Sequence, residues 1–112
     1  MTLMKKRYDA WLRQDLDGYL RLFSEDFAFT DGTEEGCGRD SWGEVNRSSY
    51  ERYSPVSWEI HELAVHGSNI LAEWTVTIAP RGTDTHVSLR GMSISETQDG
   101  LLTSNREYRW RT

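Results

Sequence analysis

The sequence contains a single cysteine, Cys37, two prolines and no long apolar run. One cysteine cannot form an internal disulfide, so the composition favours a reducing compartment and predicts a cytoplasmic protein. No stretch approaches the length of a signal-peptide core or a membrane span, so we expect neither a leader nor a membrane partner. The charge of −5 and the lack of a basic stripe beyond Lys5, Lys6 and Arg7 argue against binding of nucleic acid. We expect this basic triplet to lie on a solvated helix face.

Metal-ligand patterns and linkers are also missing from the sequence. His61, His66 and His86 have neither ligand spacing nor clustered acids around them, so no metal site is expected. There is no repeat or low-complexity segment, and 112 residues suffice for one hydrophobic core but not for two. The sequence therefore predicts a single domain over residues 1–112.

Aromatic residues are what the chain has in quantity. They make up 12% of the sequence, with five Trp and five Tyr. So many rings in a short chain either fill the core or line a cavity, and both interpretations remain open.

The first half of the chain shows helical periodicity with one interruption. An apolar stripe runs through Leu3, Met4, Tyr8, Trp11 and Leu12, and Thr2 can cap this helix. Asp15 caps a second helix that is predicted to close at Phe23. A strand over 27–31 follows, and 32–38 is predicted to be an exposed loop. Ser41 and Glu44 fit a capping box for a third helix, which Pro55 ends.

The second half alternates as strands do. The segments 56–65, 70–78, 86–96 and 101–110 are separated by turns, and a shift in apolar parity between Ile60 and Leu63 predicts a β-bulge. The order predicts an α+β fold, in which three N-terminal helices pack on a strongly curved, mainly antiparallel sheet and leave a conical pocket.

The strand 86–96 carries apolar groups on both faces. Val87 and Leu89 mark one face, and Met92 and Ile94 mark the other. We expect one face to pack on the core and the other on a second copy, and we predict that Val87 and Leu89 lie outward with Thr75 and Thr77 in a homodimer interface.

Several motifs together resemble the nuclear transport factor 2-like superfamily, on its SnoaL-like and ketosteroid-isomerase-like side. The resemblance rests on Tyr8–Leu12, Asp15-Leu16-Asp17-Gly18, Leu20–Phe29, Asp31-Gly32, Arg90-Gly91, Asp99-Gly100 and Arg106-Glu107-Tyr108. It covers nearly the whole chain and implies a cystatin-like fold, which members commonly assemble into dimers through the sheet face.

The resemblance also implies roles for particular positions. Asp31 falls where isomerase-like members keep a general base, and their oxyanion tyrosine would fall at Arg7 or Tyr8. Their second acid would fall at Met92, which cannot donate a hydrogen bond. Members similar to limonene epoxide hydrolase keep two aspartates and an arginine. Here Glu107 matches one acid, while Trp74 and Val76 stand at the other two positions.

Candidate site residues follow from these two lines of reasoning. The catalytic candidates are Asp31, Glu107, Tyr8 and Arg90; the candidates for substrate contact are Trp11, Phe29, Trp42, Tyr50, Trp74, Met92 and Asn105. The row Phe27, Phe29, Asp31 predicts a carboxyl group whose pKa is raised by burial, although Asp31-Gly32 also fits an ordinary turn acid. Arg90 and Glu107 can be catalytic, can form a plain ion pair, or Arg90 can be exposed if Val87 and Leu89 face the core.

The functional expectation is cofactor-independent acid–base chemistry on a small apolar ligand. Isomerisation, cyclisation or dehydration of a polyketide, terpenoid or steroid-like compound would suit the resemblance. The alternative is a non-catalytic ligand-binding or dimerisation module of the same fold.

Overall fold

The computed structural model describes residues 2–111, with Arg111 described by its backbone alone. Three helices pack on one face of a curved, six-stranded sheet with strand order β2-β1-β6-β5-β4-β3. The helices are α1 (Leu3–Leu12), α2 (Leu16–Leu20) and α3 (Arg39–Arg52); the strands are β1 (Phe23–Thr30), β2 (Glu35–Cys37), β3 (Tyr53–His66), β4 (Asn69–Pro80), β5 (Val87–Gln98) and β6 (Leu101–Arg111). The predicted α+β architecture is confirmed.

Two helix starts follow the predicted capping chemistry. The Thr2 side chain accepts a hydrogen bond from the Lys5 backbone N–H at 3.3 Å, and Asp15 accepts one from the Gly18 N–H at 3.1 Å. Each bond satisfies a backbone donor that the first helical turn leaves free. The predicted capping box is wrong, because α3 begins at Arg39 after Gly38 and has no side-chain cap.

The sheet is mainly antiparallel, with one parallel pair. β3, β4, β5 and β6 form a meander, and β1 joins β6 in parallel, with Phe29 beside Asn105 and Thr30 beside Arg106. This pairing places the end of β1 next to the middle of β6. Residues 31 and 107 to 109 therefore come close together despite their distance in sequence.

The β-bulge predicted in the third strand is confirmed. The pairing of β3 with β4 shifts between Ile60 and Glu62, and a second shift lies between Pro55 and Ser57. Pro55 therefore lies within β3 and does not end α3, which stops at Arg52. Bulges increase local twist, which is how a long strand curves around a helical layer.

Two further element predictions are wrong. Phe23 begins β1 and does not close α2, and the predicted loop contains the short strand β2. Phe23 and Phe27 are both completely buried, and Phe23 packs on Phe27 with ring centroids 4.6 Å apart. Burial of this phenylalanine row in the core extends the strand toward the N-terminus beyond the range that alternation alone predicted.

β5 turns Val87 and Leu89 inward. Leu89 lies beside Val76 and Val87 beside Ile78 in the β4–β5 pairing, and Leu89 and Ile78 both face the cavity described below. The prediction that Val87 and Leu89 form the outward face is therefore wrong. Met92 is outward and 38% exposed, and Tyr108, which pairs with it, is 56% exposed.

Candidate functional site

A cavity in two parts opens between the helices and the sheet. The outer basin has a volume of about 720 Å³; its walls include Glu34, Arg52, Tyr53, Ile78, Leu89, Arg109 and Trp110. The inner chamber has a volume of about 110 Å³; its walls include Trp11, Tyr19, Trp42, Trp58, Trp74, Leu89 and Glu107. Six residues line both parts and so form the neck between them: Asp31, Val45, Ser49, Ile78, Leu89 and Arg109.

Two groups of stacked aromatic rings contribute to the walls of the inner chamber. In the first, which we call the tryptophan cluster, the Trp58 ring lies 4.2 Å from Tyr8, 5.0 Å from Trp11 and 5.3 Å from Trp74. In the second, the phenylalanine cluster, the Trp42 ring lies 4.7 Å from Phe29 and 5.4 Å from Phe27. Of the predicted contact residues, Trp11, Trp42 and Trp74 thus lie at the cavity.

A buried polar network lies behind the inner chamber. Arg7, only 1% exposed, donates from Nη1 to Asn105 Oδ1 at 3.2 Å and from Nη2 to Glu107 Oε1 at 3.3 Å. The Asn105 amide donates to the same Glu107 oxygen at 3.1 Å, and the Ser95 hydroxyl donates to Asn105 Oδ1 at 2.6 Å. Arg7 is therefore buried, and its predicted place on a solvated face is wrong.

The environment of Arg7 keeps it charged. Burial alone would lower the pKa of the guanidinium, but Tyr19, Tyr8 and Glu107 around it outweigh burial and raise the pKa. At neutral pH only Glu107 among these carries a charge, so the ion pair is the main stabilising interaction. The network thus orients one oxygen of Glu107. Its Oε2 accepts no hydrogen bond from the part of the chain that the structure describes.

The tyrosines of this region are neutral hydroxyl groups. Burial raises the pKa of Tyr8 to about 12. The Tyr8 hydroxyl is buried beside Ser93 without a hydrogen bond of good geometry to any described residue. Tyr8 stands behind Trp58, whereas Tyr19, whose hydroxyl lies beside Arg7 and Trp42, faces the chamber itself. Burial likewise raises the pKa of Tyr19.

Asp31 combines two roles that the sequence left as alternatives. Its Oδ1 accepts hydrogen bonds from the Glu34 N–H at 2.7 Å, the Thr33 N–H at 3.0 Å and the Thr33 hydroxyl at 2.9 Å, which is turn geometry. Its Oδ2 lies 3.1 Å from Nη2 of Arg109. Burial raises the pKa of Asp31, but these bonds and the Arg109 charge outweigh it and lower the pKa below its ordinary value. The predicted rise in the pKa of Asp31 is therefore wrong.

Arg90 and Met92 lie on the other side of the sheet from Glu107. The Arg90 side chain is 45% exposed and pairs with Glu73 at 2.6 Å, so the anticipated pair with Glu107 does not form. The reason is strand parity, since inward Leu89 and Gly91 force Arg90 and Met92 outward. Neither side chain can reach the cavity.

The remaining candidates are structural neighbours of the cavity. Phe29 belongs to the phenylalanine cluster behind Trp42, and the Tyr50 hydroxyl donates to the Trp11 carbonyl at 2.9 Å. Asn105 lies in the buried network and contacts Glu107. These three side chains hold the wall residues of the chamber in place.

Among the charged and aromatic residues at the walls and floor of the inner chamber, four were absent from the sequence-based candidates. They are Arg7, Tyr19, Trp58 and Arg109. Arg109 could have been found, because it shares a strand face with Asn105 and Glu107. Arg7 follows Met4 by three positions and precedes Trp11 by four, so its helical position was a signal as well.

Two kinds of binding structure are not found among residues 2–111. No group of three or more His, Cys, Asp or Glu side chains is arranged to hold a metal ion. None of the described helices has the length and apolar character needed to cross a membrane.

Comparisons with known families agree with the fold. A family model described as SnoaL-like domain matches residues 4–105, which is most of the chain. No curated protein matches the sequence.

Solved structures of the same fold are numerous and distant in sequence. An LEH-like epoxide hydrolase from M. tuberculosis is 19% identical, with a TM-score of 0.85 over 96% of this chain and 80% of that one. A proposed isomerase from Bacillus subtilis is 16% identical, with a TM-score of 0.86 over 96% and 84%. A proposed SnoaL-like polyketide cyclase from Shewanella denitrificans is 14% identical, with a TM-score of 0.84 over 96% and 88%. At such identities these likenesses show the fold alone.

Proposed function

We propose that this chain, which belongs to the SnoaL-like domain family, binds a small, largely apolar carbonyl compound and moves a proton on it without a cofactor. Glu107 would be the proton acceptor. The observation that carries the proposal is the position of its carboxylate, which faces the inner chamber with Oε1 held by Arg7 and Asn105 and Oε2 left without a partner among the described residues. A carboxylate held in one orientation beside a bound substrate is the arrangement that general base catalysis requires.

Glu107 fits this role better than Asp31. Both oxygens of Asp31 are occupied, one by three donors of the turn and the other by Arg109, and its pKa is lowered. A carboxylate stabilised in that way is a weaker base. We assign Asp31 the role of positioning Arg109 at the neck of the cavity.

The proposed step balances with groups of the protein alone. Glu107 Oε2 takes a proton from the carbon next to a carbonyl, and the electrons move onto the carbonyl oxygen. Tyr19, a neutral hydroxyl group in the lining of the chamber, would donate a hydrogen bond to that oxygen. Return of the proton to another carbon is an isomerisation; loss of a hydroxyl group as water is a dehydration; attack on a second carbonyl is a cyclisation. Polyketide and terpenoid compounds offer all three.

A simple probe tests the proposed base without knowledge of the natural substrate. The isomerisation of 3-cyclohexen-1-one to 2-cyclohexen-1-one removes a proton from C2 and returns one to C4, and ultraviolet absorbance follows the conjugated product. We expect Glu107→Gln to lower the catalysed rate about 10²–10⁴-fold. The matched control is Glu73→Gln, which changes a carboxylate on the opposite face of the sheet and should leave the rate unchanged.

Folding has to be separated from chemistry in this experiment. Glu107→Gln leaves Arg7 buried without its counter-charge, so the double variant Arg7→Met/Glu107→Gln is measured beside it and should be folded and equally slow. An unchanged rate in either folded variant contradicts the role of Glu107. Wild-type protein that does not accelerate the reaction contradicts proton transfer on simple enones and favours a ligand-binding module.

Assembly of two copies is the second part of the proposal. Met92 and Tyr108 pair across β5 and β6 on the outer face of the sheet, and both are exposed large side chains. We propose that a second copy of the chain covers this pair. This surface takes the place of the interface that the sequence analysis predicted at Val87 and Leu89. Sedimentation at micromolar concentration should give a dimer for the wild type and a monomer for Tyr108→Glu. A wild-type monomer would remove the proposal.

A further inference from the structure

The inner chamber is bordered by two groups of stacked rings that belong to one hydrophobic core. Among the described residues, no ring of the tryptophan cluster stacks on a ring of the phenylalanine cluster, although each cluster is continuous within itself. Trp42, Trp58 and Trp74 line the chamber together with Tyr19. Trp74 and Tyr19 are each only 1% exposed, so the open space lies mainly beside half-buried Trp58. A small chamber lined by aromatic side chains suits a flat apolar group.

The tryptophan wall cannot move back to enlarge the chamber. A Cβ atom at Gly91 would lie 2.6 Å from Cη2 and 2.9 Å from Cζ2 of Trp74, so the indole already presses on the β5 backbone. The Trp74 Nε1 also donates to the Ser93 hydroxyl at 3.3 Å. Close packing on one side and a hydrogen bond on the other fix this ring.

The phenylalanine wall is fixed in the same way. A Cβ atom at Gly36 would lie 2.7 Å from Cζ of Phe29, so the ring rests directly on the β2 backbone. Phe29 in turn supports Trp42, with ring centroids 4.7 Å apart. Because both walls rest on glycine backbone, the width of the chamber is set by the fold.

The floor of the chamber is equally closed. Arg7 lies under both clusters, with its guanidinium carbon 5.9 Å from the Tyr8 centroid and 5.5 Å from that of Phe23. Its partner Asn105 is 2% exposed and Ser95 is completely buried. A ligand cannot deepen the chamber without breaking the hydrogen bonds that satisfy these buried groups.

These constraints convert the chamber volume into a limit on ligand size. A rigid apolar cavity of about 150 Å³ accepts one benzene ring, and the inner chamber measures about 110 Å³. The outer basin of about 720 Å³ falls within the range of ordinary ligand sites. We propose that the ligand inserts a head group no larger than one six-membered planar ring into the inner chamber beside Trp58 and Glu107, and that any larger part remains in the outer basin. This inference rests on the proposed function and narrows its substrate class: the reacting carbon belongs to a single terminal ring or a smaller conjugated group, and fused polycycles are rejected at the neck.

Two neutral probes that differ by one fused ring test the size limit. Anisole has one ring and 2-methoxynaphthalene has two, and neither has an acidic proton, so their binding does not depend on Glu107 acting as a base. Burial of apolar area alone would make the larger probe bind more tightly. We expect the reverse for the wild-type protein, with 2-methoxynaphthalene at least about tenfold weaker, because the rigid walls exclude it.

The indole N–H signals in a nitrogen–proton NMR spectrum show which compartment is occupied. Trp11, Trp42, Trp58 and Trp74 line the inner chamber, whereas Trp110 lines the outer basin. Anisole should shift the first group and leave Trp110 unchanged. Shifts at Trp110 alone, tighter binding of the naphthalene, or no shift with anisole would each overturn the inference.

A variant that widens the chamber completes the test. Trp42→Phe is suited to this test, because Trp42 Nε1 has no hydrogen bond of good geometry among the described residues. Removing the indole N–H therefore takes no donor away from a hydrogen-bond acceptor. We expect this variant to improve the affinity for 2-methoxynaphthalene at least tenfold relative to anisole. The matched control is Trp110→Phe, which should keep the wild-type ratio, and an unchanged ratio in folded Trp42→Phe would also overturn the inference. Unchanged catalysis in folded Glu107→Gln, with the size discrimination retained, would reject the proposed base and leave the size limit standing.

Discussion

The buried ion pair between Arg7 and Glu107 makes the sharpest prediction about stability. The two side chains are 1% and 9% exposed, and Nη2 lies 3.3 Å from Oε1. Removal of one member of such a pair typically costs about 3–5 kcal/mol, because the remaining charge loses its partner while still shielded from water. That is a large fraction of the roughly 5–15 kcal/mol that stabilises a domain of this kind.

We expect Arg7→Met to lower the free energy of unfolding by an amount near the lower end of that range. Glu107 borders the chamber, so water entering the cavity can hydrate the abandoned carboxylate in part, and the Asn105 amide still donates to it. The double variant Arg7→Met/Glu107→Gln should recover at least about 2 kcal/mol relative to Arg7→Met, because it removes both buried charges together.

Urea unfolding followed by tryptophan fluorescence measures these differences. Arg90→Met is the matched control, since Arg90 pairs with Glu73 on the exposed face and its loss should leave the midpoint nearly unchanged. A double variant as unstable as the single one would refute the charge argument and show that Arg7 acts through packing. A small loss for Arg7→Met would mean that the pair is hydrated in solution.

Two further predictions concern single positions at the cavity. Asp31→Asn should lower the free energy of unfolding by about 1–2 kcal/mol at pH 7 through loss of the charged contacts to Arg109 and the turn. Because the pKa of Asp31 is lowered in the folded state, its contribution to stability is complete above the unfolded pKa of about 3.9 and is lost as the pH falls below that value. Denaturation curves at pH 7 and pH 3 should therefore show that the difference in unfolding free energy between wild type and Asp31→Asn shrinks in acid. A difference that is the same at both pH values would contradict the coupling between the charge of Asp31 and stability. Gly91→Ala should destabilise by about 1–3 kcal/mol or more, since its Cβ would meet Trp74 at 2.6 Å, and a melting temperature equal to that of the wild type would show that the indole can move.

Local signals in the sequence were sufficient for most of the fold. Caps at Thr2 and Asp15 place two helix starts, and the parity shift after Ile60 locates the bulge that curves β3. Such features depend on residues within a few positions of each other. The parallel pairing of β1 with β6 joins residues more than seventy positions apart, and the sequence analysis did not predict it.

The candidate site was harder to predict because it depends on the face that each side chain takes. β5 has apolar residues at both parities, and the choice between them places either Leu89 or Arg90 at the cavity. The absence of a side chain at Gly91 decides the matter physically, since the inward position must accommodate the Trp74 ring. The alternation of residues within β5 cannot indicate the Trp74 ring, because Trp74 belongs to the neighbouring strand β4.

Arg7 shows how charge can mislead where periodicity does not. Met4, Arg7, Tyr8 and Trp11 are all buried and share one face of α1, spaced as an inward stripe should be. The neighbouring Lys5 and Lys6 are exposed, and their charge led to the prediction that all three basic residues lie on a solvated face. A buried arginine is acceptable only with a partner of opposite charge, and that partner, Glu107, lies a hundred residues away.

Asp31 shows that burial alone does not set the direction of a pKa shift. The alternation of Phe27, Phe29 and Asp31 placed the carboxyl group at the cavity, and burial there does raise its pKa. The larger combined effect comes from Thr33, Glu34 and Arg109, whose donors stabilise the charged form. Three of these four hydrogen-bonding contacts come from the turn that Gly32 makes possible, with a φ of 87°. The turn and Arg109 therefore occupy both oxygens of Asp31, which is why the base that we propose for the inner chamber is Glu107 on β6.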